Sequence, residues 1–378
     1  MTLRCTNPPA PRPAGPGADE AVRSPAPPSV RSPGGALAFP LQAPPAPGTA
    51  VAIAPRLLWL RMPLPFVLDH INLWLLQDAD GAFTLVDCGY GDEATRALWK
   101  RHFETTLTAP IRRILVTHCH PDHVGNAAWL SSRFGAPVSM TSAEFLTAHA
   151  LVAASGAYAP DAMVDLFRRH GIGPLQAEAL GHGGNRYARG VPDLPATFDR
   201  LIDGDLCTAG GAAWRIVEGH GHSPEHASLH SAERGVLVSG DMLLPRITTN
   251  VSVYAVEPEA DPLGRFLDSL DVLQRMPDDT LVLPSHGLPF RGIATRIAQL
   301  RAHHDARLAE LEAALRASAS PASAAELVPV LFRRELDGHQ LFFAMGETIA
   351  HLNFLWHRAA IERRVGAGGS VRFAATAR

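Results

Sequence analysis

The chain has 378 residues, 46% of them hydrophobic, and a formal net charge of -3, which suits one large domain plus an appendage. That balance excludes a protein whose main business is neutralising phosphates or coating an anionic membrane. Its apolar runs are too short to span a bilayer, and its four cysteines, Cys5, Cys88, Cys119 and Cys207, form neither a C-x-x-C pair nor a disulfide framework, so a cytoplasmic protein is expected.

Residues 1–48 are dominated by Pro, Ala, Gly, Ser and Arg and read as a disordered tail. Order is expected from residue 49. There VAIAPRLLWLRMP, INLWLLQ and FTLVDCG are short apolar strands divided by Pro and by the turn DADG. DEATRALWKRHFETT follows with helical spacing, then the buried strand IRRILVTH and the helix GNAAWLSSRFG. The stretch from Thr141 to Asp199 reads as loops. A second alternating block supplies the strands AAWRIVEGH, ASLHS, GVLVSGDML and TLVLPSH around the helix PLGRFLDSLDVLQRM. This alternation predicts an α/β domain over residues 49–290. Residues 291–378 then change to three helices and a small hairpin, a winged-helix-like arrangement.

Eighteen histidines are many for this length, and they cluster. The sharpest cluster is THCHPDHVG, Thr117 to Gly125, where a buried strand ends and a helix starts. On an extended strand end His118 and His120 point to one side and Cys119 to the other. After Pro121, Asp122 and His123 face a neighbouring position. Three histidines and a carboxylate within six residues suit metal binding better than core packing, which is the ordinary fate of a lone histidine.

The pattern resembles the H-x-H-x-D-H signature of the metallo-β-lactamase superfamily, and further motifs of that family follow in order. LVDCGYG contains Asp87, EGHGHSPEHASL contains His222, GVLVSGDML contains Asp241, and LVLPSHG contains His286. The resemblance implies an αββα sandwich. It implies that His118, His120 and His222 hold one metal, that Asp122, His123 and His286 hold a second, and that Asp241 bridges them while Asp87 orients the site from behind. His220 is a competing register for His222. Two Zn(II) ions are the expected cofactors, with Fe or Mn as alternatives.

The same resemblance implies a hydrolase that attacks its substrate with a metal-bridging hydroxide, with Asp122 and Asp241 in the catalytic centre. A thioester or related acyl ester is the expected substrate, from the likeness of GHSPEHASL to glyoxalase-II-type enzymes. A lactone, or an RNA phosphodiester gripped by Arg333, Arg334, Arg358, Arg363 and Arg364, is the alternative. The partner is then a small molecule, with nucleic acid second and no membrane. His226, Arg246, Thr248 and Asn250 are candidate substrate contacts, with Tyr90 beside them. Glu347 and His351, four apart on the last long helix, read as a helix-surface pair. Cys119 reads as a packed residue and not a nucleophile.

Overall fold

The computed structural model describes residues 36–376. Its strands and helices run in the order β1 (Val51–Ala54), β2 (Leu57–Pro63), β3 (His70–Gln77), β4 (Phe83–Val86), α1 (Glu93–Thr105), β5 (Ile111–Leu115), α2 (Pro121–Val124), α3 (Ala127–Phe134) and β6 (Val138–Met140). Next come α4 (Ser142–Val152), α5 (Pro160–Arg169), α6 (Pro174–Gly181), α7 (Arg186–Gly190), β7 (Asp199–Arg200), β8 (Leu206–Ala209), β9 (Ala212–Gly219), β10 (His226–Ser231) and β11 (Val236–Gly240). The chain ends with α8 (Pro262–Leu273), β12 (Leu281–Pro284), α9 (Ile293–Ala317), α10 (Ala324–Leu331), α11 (Gly338–His357), β13 (Ile361–Val365) and β14 (Val371–Ala375).

Strands β1 to β7 form one sheet in sequence order, antiparallel through β4 and parallel from there on. A second sheet has the order β12-β11-β10-β9-β8, and only its β11·β12 pair is parallel. Successive side chains on a strand face opposite sides, and β2 and β3 show what that does here. Leu57, Trp59, Trp74 and Leu76 point between the sheets, where they meet Trp214, Ile216, Leu229 and Leu283 of the second sheet. Leu60, Met62, Leu73 and Leu75 point the other way, onto Trp99 of α1 and Leu130 of α3. The outer face of the second sheet, through Val217, Leu237 and Val282, is covered by α8, α9 and α11 with Phe266, Ile297 and Ile349. Helix, sheet, sheet and helix therefore stack in four layers. Each large apolar side chain removed from water contributes roughly 1.5–3 kcal/mol.

Hairpin β8–β9 shows local chemistry setting register. Gly210 and Gly211 carry φ of 62° and 73° and join the paired residues Ala209 and Ala212. Two consecutive positive φ values define the tight turn that matches strand twist, and glycine adopts them without a Cβ penalty.

Three expectations change. Residues 36–48, read as tail, pack on the fold from Leu37 onward. Ala38 pairs with Arg291, and Leu37, Phe39 and Leu41 contact the cores. Residues 1–35 of the expected tail lie outside the described residues. The Thr141 to Asp199 stretch is largely helical, as α4 to α7, because α5 buries Met163, Val164, Leu166 and Phe167 on one side and so gains what a solvated loop would not. Glu347 and His351 do not form a surface pair: His351 is fully buried, and its Nδ1–H donates to the Glu347 backbone carbonyl at 2.8 Å. The three C-terminal helices and the β13–β14 hairpin occur in the expected order.

Candidate metal centre

The THCHPDHVG segment leaves β5 and enters α2 through His120, whose extended backbone (φ -63°, ψ 148°) precedes Pro121 in the first turn. Proline suits that position because its missing N–H would have no helical partner. His118 Nε2 and His120 Nδ1 lie 2.9 Å apart, on the same side as the strand geometry requires. Cys119 between them is buried and faces away, with its N–H donated to Glu144 at 2.8 Å.

The other side chains arrive from the ends of other strands. His222 comes from the β9–β10 connection, and its Nε2 is 3.3 Å from His118 Nε2. Asp241 follows β11, and His286 follows β12. One oxygen of Asp241 is 3.4 Å from His222 Nε2, while the other is 3.6 Å from His123 Nε2 and 3.5 Å from His286 Nε2. Asp122 is 3.6 Å from His123 Nε2 and 3.5 Å from His286 Nε2. Donor atoms of His118, His120, His222 and Asp241 thus fall within 4.8 Å of one another, as do those of Asp122, His123 and His286. Asp241 touches both groups. His220, the competing register, instead pairs its Nδ1 with the Pro224 carbonyl at 2.8 Å and is outside both groups.

Hydrogen bonds behind the rings dictate which nitrogen faces inward. His222 Nδ1–H donates to Asn250 O, and His286 Nδ1–H to His70 O, each at 2.7 Å. His123 Nδ1–H donates to Asp87 at 2.9 Å. All three Nε2 lone pairs consequently point into the cluster. Asp87 also accepts from the Thr117 N–H at 2.8 Å, and it does so from a left-handed backbone (φ 62°) that Asp tolerates better than most residues.

The cluster fits cations. His123 Nε2 and Asp241 Oδ1 are buried and have no hydrogen-bond partner among the described residues, a costly state for polar atoms unless something binds them. Burial, then the neighbouring imidazoles, hold His118 and His120 well below the usual histidine range, so their facing nitrogens offer electron pairs and not charges. Burial also opposes charge on His123, yet Asp87, Asp122 and Asp241 outweigh it and lift that ring to about 10. The same three carboxylates would stabilise a cation that displaces that proton from Nε2. For Asp241, burial is overcome by His286 and His123, and its carboxyl sits well below the usual range.

The weaker substrate-contact candidates fare differently. His226 is completely buried, and its Nε2 accepts the Asp241 N–H at 3.1 Å, so it orients Asp241 and does not face a substrate. Gly240 (φ 53°) permits that contact, since a Cβ there would stand 2.2 Å from His226 Nε2. Arg246 is exposed, with its guanidinium 5.8 Å from the centre of the Phe39 ring. Asn250 serves through its backbone carbonyl, and its side chain accepts from Ser252 Oγ at 2.8 Å. Thr248 is half-buried. Tyr90 does lie near the cluster, beside Pro121. Its ring lies where a Cβ on Gly190 would be, 2.2 Å away, and Pro121 borders the same position.

Several residues here were not anticipated from sequence. Asn72 donates to Pro284 O and Gly287 O at 2.8 and 2.9 Å, and His70 Nε2 accepts the Gly287 N–H at 2.9 Å, so both brace the His286 turn. A signal existed: His70 and Asn72 are polar at alternate positions of the otherwise apolar HINLWLLQ. Glu144 carried no such signal.

Comparison with known proteins agrees with this geometry. Residues 67–286 match the family model described as metallo-beta-lactamase superfamily, and residues 308–376 match one described as metallo-beta-lactamase-like, C-terminal domain. A solved beta-lactamase domain protein from Burkholderia ambifaria is 48% identical with a TM-score of 0.83, over 90% of this chain and 98% of that one. A metallo-beta-lactamase family protein from Thermus thermophilus is 33% identical with a TM-score of 0.73, over 86% of this chain and all (100%) of that one. A Bacillus subtilis protein named "Probable metallo-hydrolase YqjP" is 24% identical over 308 residues, 80% of this chain and 92% of its own length. With its four-layer fold and its histidine and aspartate clusters resembling a dinuclear metal site, the chain belongs to the metallo-beta-lactamase superfamily.

Proposed function

We propose that the protein is a metal-dependent hydrolase acting on a thioester or related acyl ester. The observation that carries the hydrolase reading is the pair of adjoining donor groups joined by Asp241, with inward lone pairs and unpartnered buried acceptors. Two divalent cations in such a site supply Lewis acidity, making water acidic and polarising the attacked carbonyl. Zn(II) suits the nitrogen and carboxylate donors, with Fe or Mn as alternatives.

The chain's own residues then have separable tasks. His118, His120 and His222 present neutral nitrogens; Asp241 and Asp122 bring the compensating charge. Asp122, whose side chain is 18% exposed, is the more accessible of these two carboxylates and is placed to exchange a proton with the incoming water or the leaving group.

An apolar acyl group is favoured by the rim. Phe66, in the loop between β2 and β3, packs edge-on to Tyr90 at 5.5 Å and stacks on His339 of α11 at 5.3 Å. His339 in turn meets Phe343 at 5.0 Å. Phe66 and Phe343 are 41% and 36% exposed, which leaves apolar surface along the row of rings that starts at Tyr90. Arg186 and Arg189 on nearby α7 are exposed and have no carboxylate partner among the described residues, which suits an anionic thiol leaving group. The RNA reading is weakened by the C-terminal arginines. Arg333, Arg358, Arg363 and Arg364 are engaged with Glu310, Asp261, Glu259 and Glu362, and α11 buries Met345, Ile349 and Leu352 in the core.

The test is thiol release from a panel of acyl-coenzyme A and acyl-glutathione thioesters by zinc-loaded protein, with Asp122→Ala as the blank. Release that disappears in the variant supports thioester hydrolysis. No release from metal-filled protein overturns it and moves the assignment to lactones, then to RNA phosphodiesters.

A further inference from the structure

Glu144, in the first turn of α4, has no place in the metal chemistry above and yet is completely buried. Removing a carboxylate from water is expensive unless donors replace the lost hydration. Here three do. Oε2 accepts the Cys119 N–H at 2.8 Å. Oε1 accepts Ser223 Oγ–H at 2.6 Å and the Glu225 N–H at 2.8 Å.

The sequence positions of those donors give the arrangement its meaning. Cys119 lies between His118 and His120, which leave the end of the first sheet. Ser223 follows His222, which leaves the second. One carboxylate therefore grips the backbone next to the three nitrogen donors of one cluster, across the junction of two sheets. The grip is reciprocated: Thr141 Oγ1 donates to Glu225 O at 2.8 Å, and the Ala143 N–H to the Glu225 carboxylate at 3.0 Å. From α7, the Tyr187 phenol OH donates to Cys119 O at 2.5 Å. Cys119 is thus held at both its N–H and its C=O.

We propose that Glu144 is a positioning residue that sets the spacing between the His118–His120 pair and His222, and so the metal affinity of that cluster in preference to the Asp122–His123–His286 cluster. Partners behind metal ligands affect affinity because a ligand displaced by a fraction of an ångström loses coordination energy that the metal cannot recover elsewhere. A glutamine would not substitute. Its amide nitrogen cannot accept, so either the Cys119 arm or the Ser223 and Glu225 arm would face a donor.

This inference rests on the metal-site reading, and one experiment separates the two. Full-length wild type, E144Q and S223A are titrated with Zn(II) against a chromophoric chelator, and Co(II) absorption spectra report the ligand field of each site. Two sites in wild type support the site reading; no metal uptake by folded wild type overturns it and the clamp together. For E144Q the expected result is a fall of about 10- to 100-fold in affinity at one site, with the other within about twofold, and an altered Co(II) spectrum for the weakened site. S223A, which removes one arm only, is expected to show a smaller fall at the same site. Wild-type affinities in folded E144Q, or equal losses at both sites, would overturn the clamp. Should E144Q not fold, S223A decides: a site-selective fall supports the proposal, and unchanged or uniformly lowered affinity overturns it.

Discussion

Two of the regions that bury histidines, the candidate metal centre and the α9–α11 contact, do so to opposite effect. In the candidate metal centre, His123, His222 and His286 each donate Nδ1–H outward to an acceptor and turn Nε2 toward Asp122 or Asp241. Between α9 and α11, His304 Nδ1 faces His351 Nε2 at 3.1 Å, and His351 Nδ1–H is tied to the Glu347 carbonyl. The lone pair that His351 would otherwise offer a cation is therefore taken by the His304 N–H, and the His304 ring packs on Phe266. Burial holds both rings neutral, His304 at about 3 and His351 at about 4. A buried histidine becomes a metal donor only where hydrogen bonds behind it aim its lone pair and carboxylates supply charge in front.

The strongest way to break this comparison is to remove donors from the centre. The double substitution His118→Ala, His120→Ala is expected to remove about one equivalent of metal, with hydrolysis falling about a thousandfold or more, about 4 kcal/mol in the barrier. Metal analysis alongside the thiol-release assay checks it, and full metal retention would sink the assignment. Asp87→Asn tests the aiming. The variant should keep its fold and bind metal about 10- to 100-fold more weakly at the His123 cluster, a result to be read by chelator competition.

A third test concerns residues 36–47. Truncation through residue 35 should leave the melting temperature near wild type, whereas truncation through residue 47 removes Leu37, Phe39 and Leu41 and should cost about 2 kcal/mol or more. Equal denaturation midpoints for both truncations would contradict the packing described for that segment.

The smallest effect sharpens the other side of the comparison. His304→Leu should leave metal content unchanged while altering the response to acid. The folded His304 pKa, about 3, lies below the usual histidine value near 6.5, so between these values the unfolded chain binds the extra proton. Stability contributed by the neutral ring is present above about pH 6.5 and is lost as pH falls, by about 2 kcal/mol at pH 5. His351 acts in the same direction. Glu347, raised by burial to about 7, acts in the opposite one, because the folded state holds its proton between about pH 4.5 and 7. Urea midpoints at pH 7.5 and pH 5 should draw together in His304→Leu relative to wild type. An unchanged difference would mean that His304 does not carry it.

Legibility in the sequence followed the range of the interaction. Strands such as INLWLLQ and helices such as DEATRALWKRHFETT announce themselves because period 2 and period 3.6 are local patterns. His118 and His120 could be placed on one side of a strand end for the same reason. The stretch from Thr141 to Asp199 was misread because its helices are short and owe their stability to the core they cover. His226 was misread because nothing in its own segment reveals that Gly240 would bring the Asp241 N–H to its ring.

Residue types and their spacing were enough to predict the α/β alternation, the helical C-terminal region and the cluster of His118, His120, Asp122 and His123, since each depends on neighbours in the chain, whereas His222, Asp241 and His286 were expected from the family resemblance. Tertiary structure alone decided which imidazole nitrogen faces inward, that His222 and not His220 joins the cluster, and that Glu144 spans the two sheets. Those outcomes depend on acceptors such as His70 O, Asn250 O and Asp87, which come from strands and loops far away in sequence and meet only when the sheets pack.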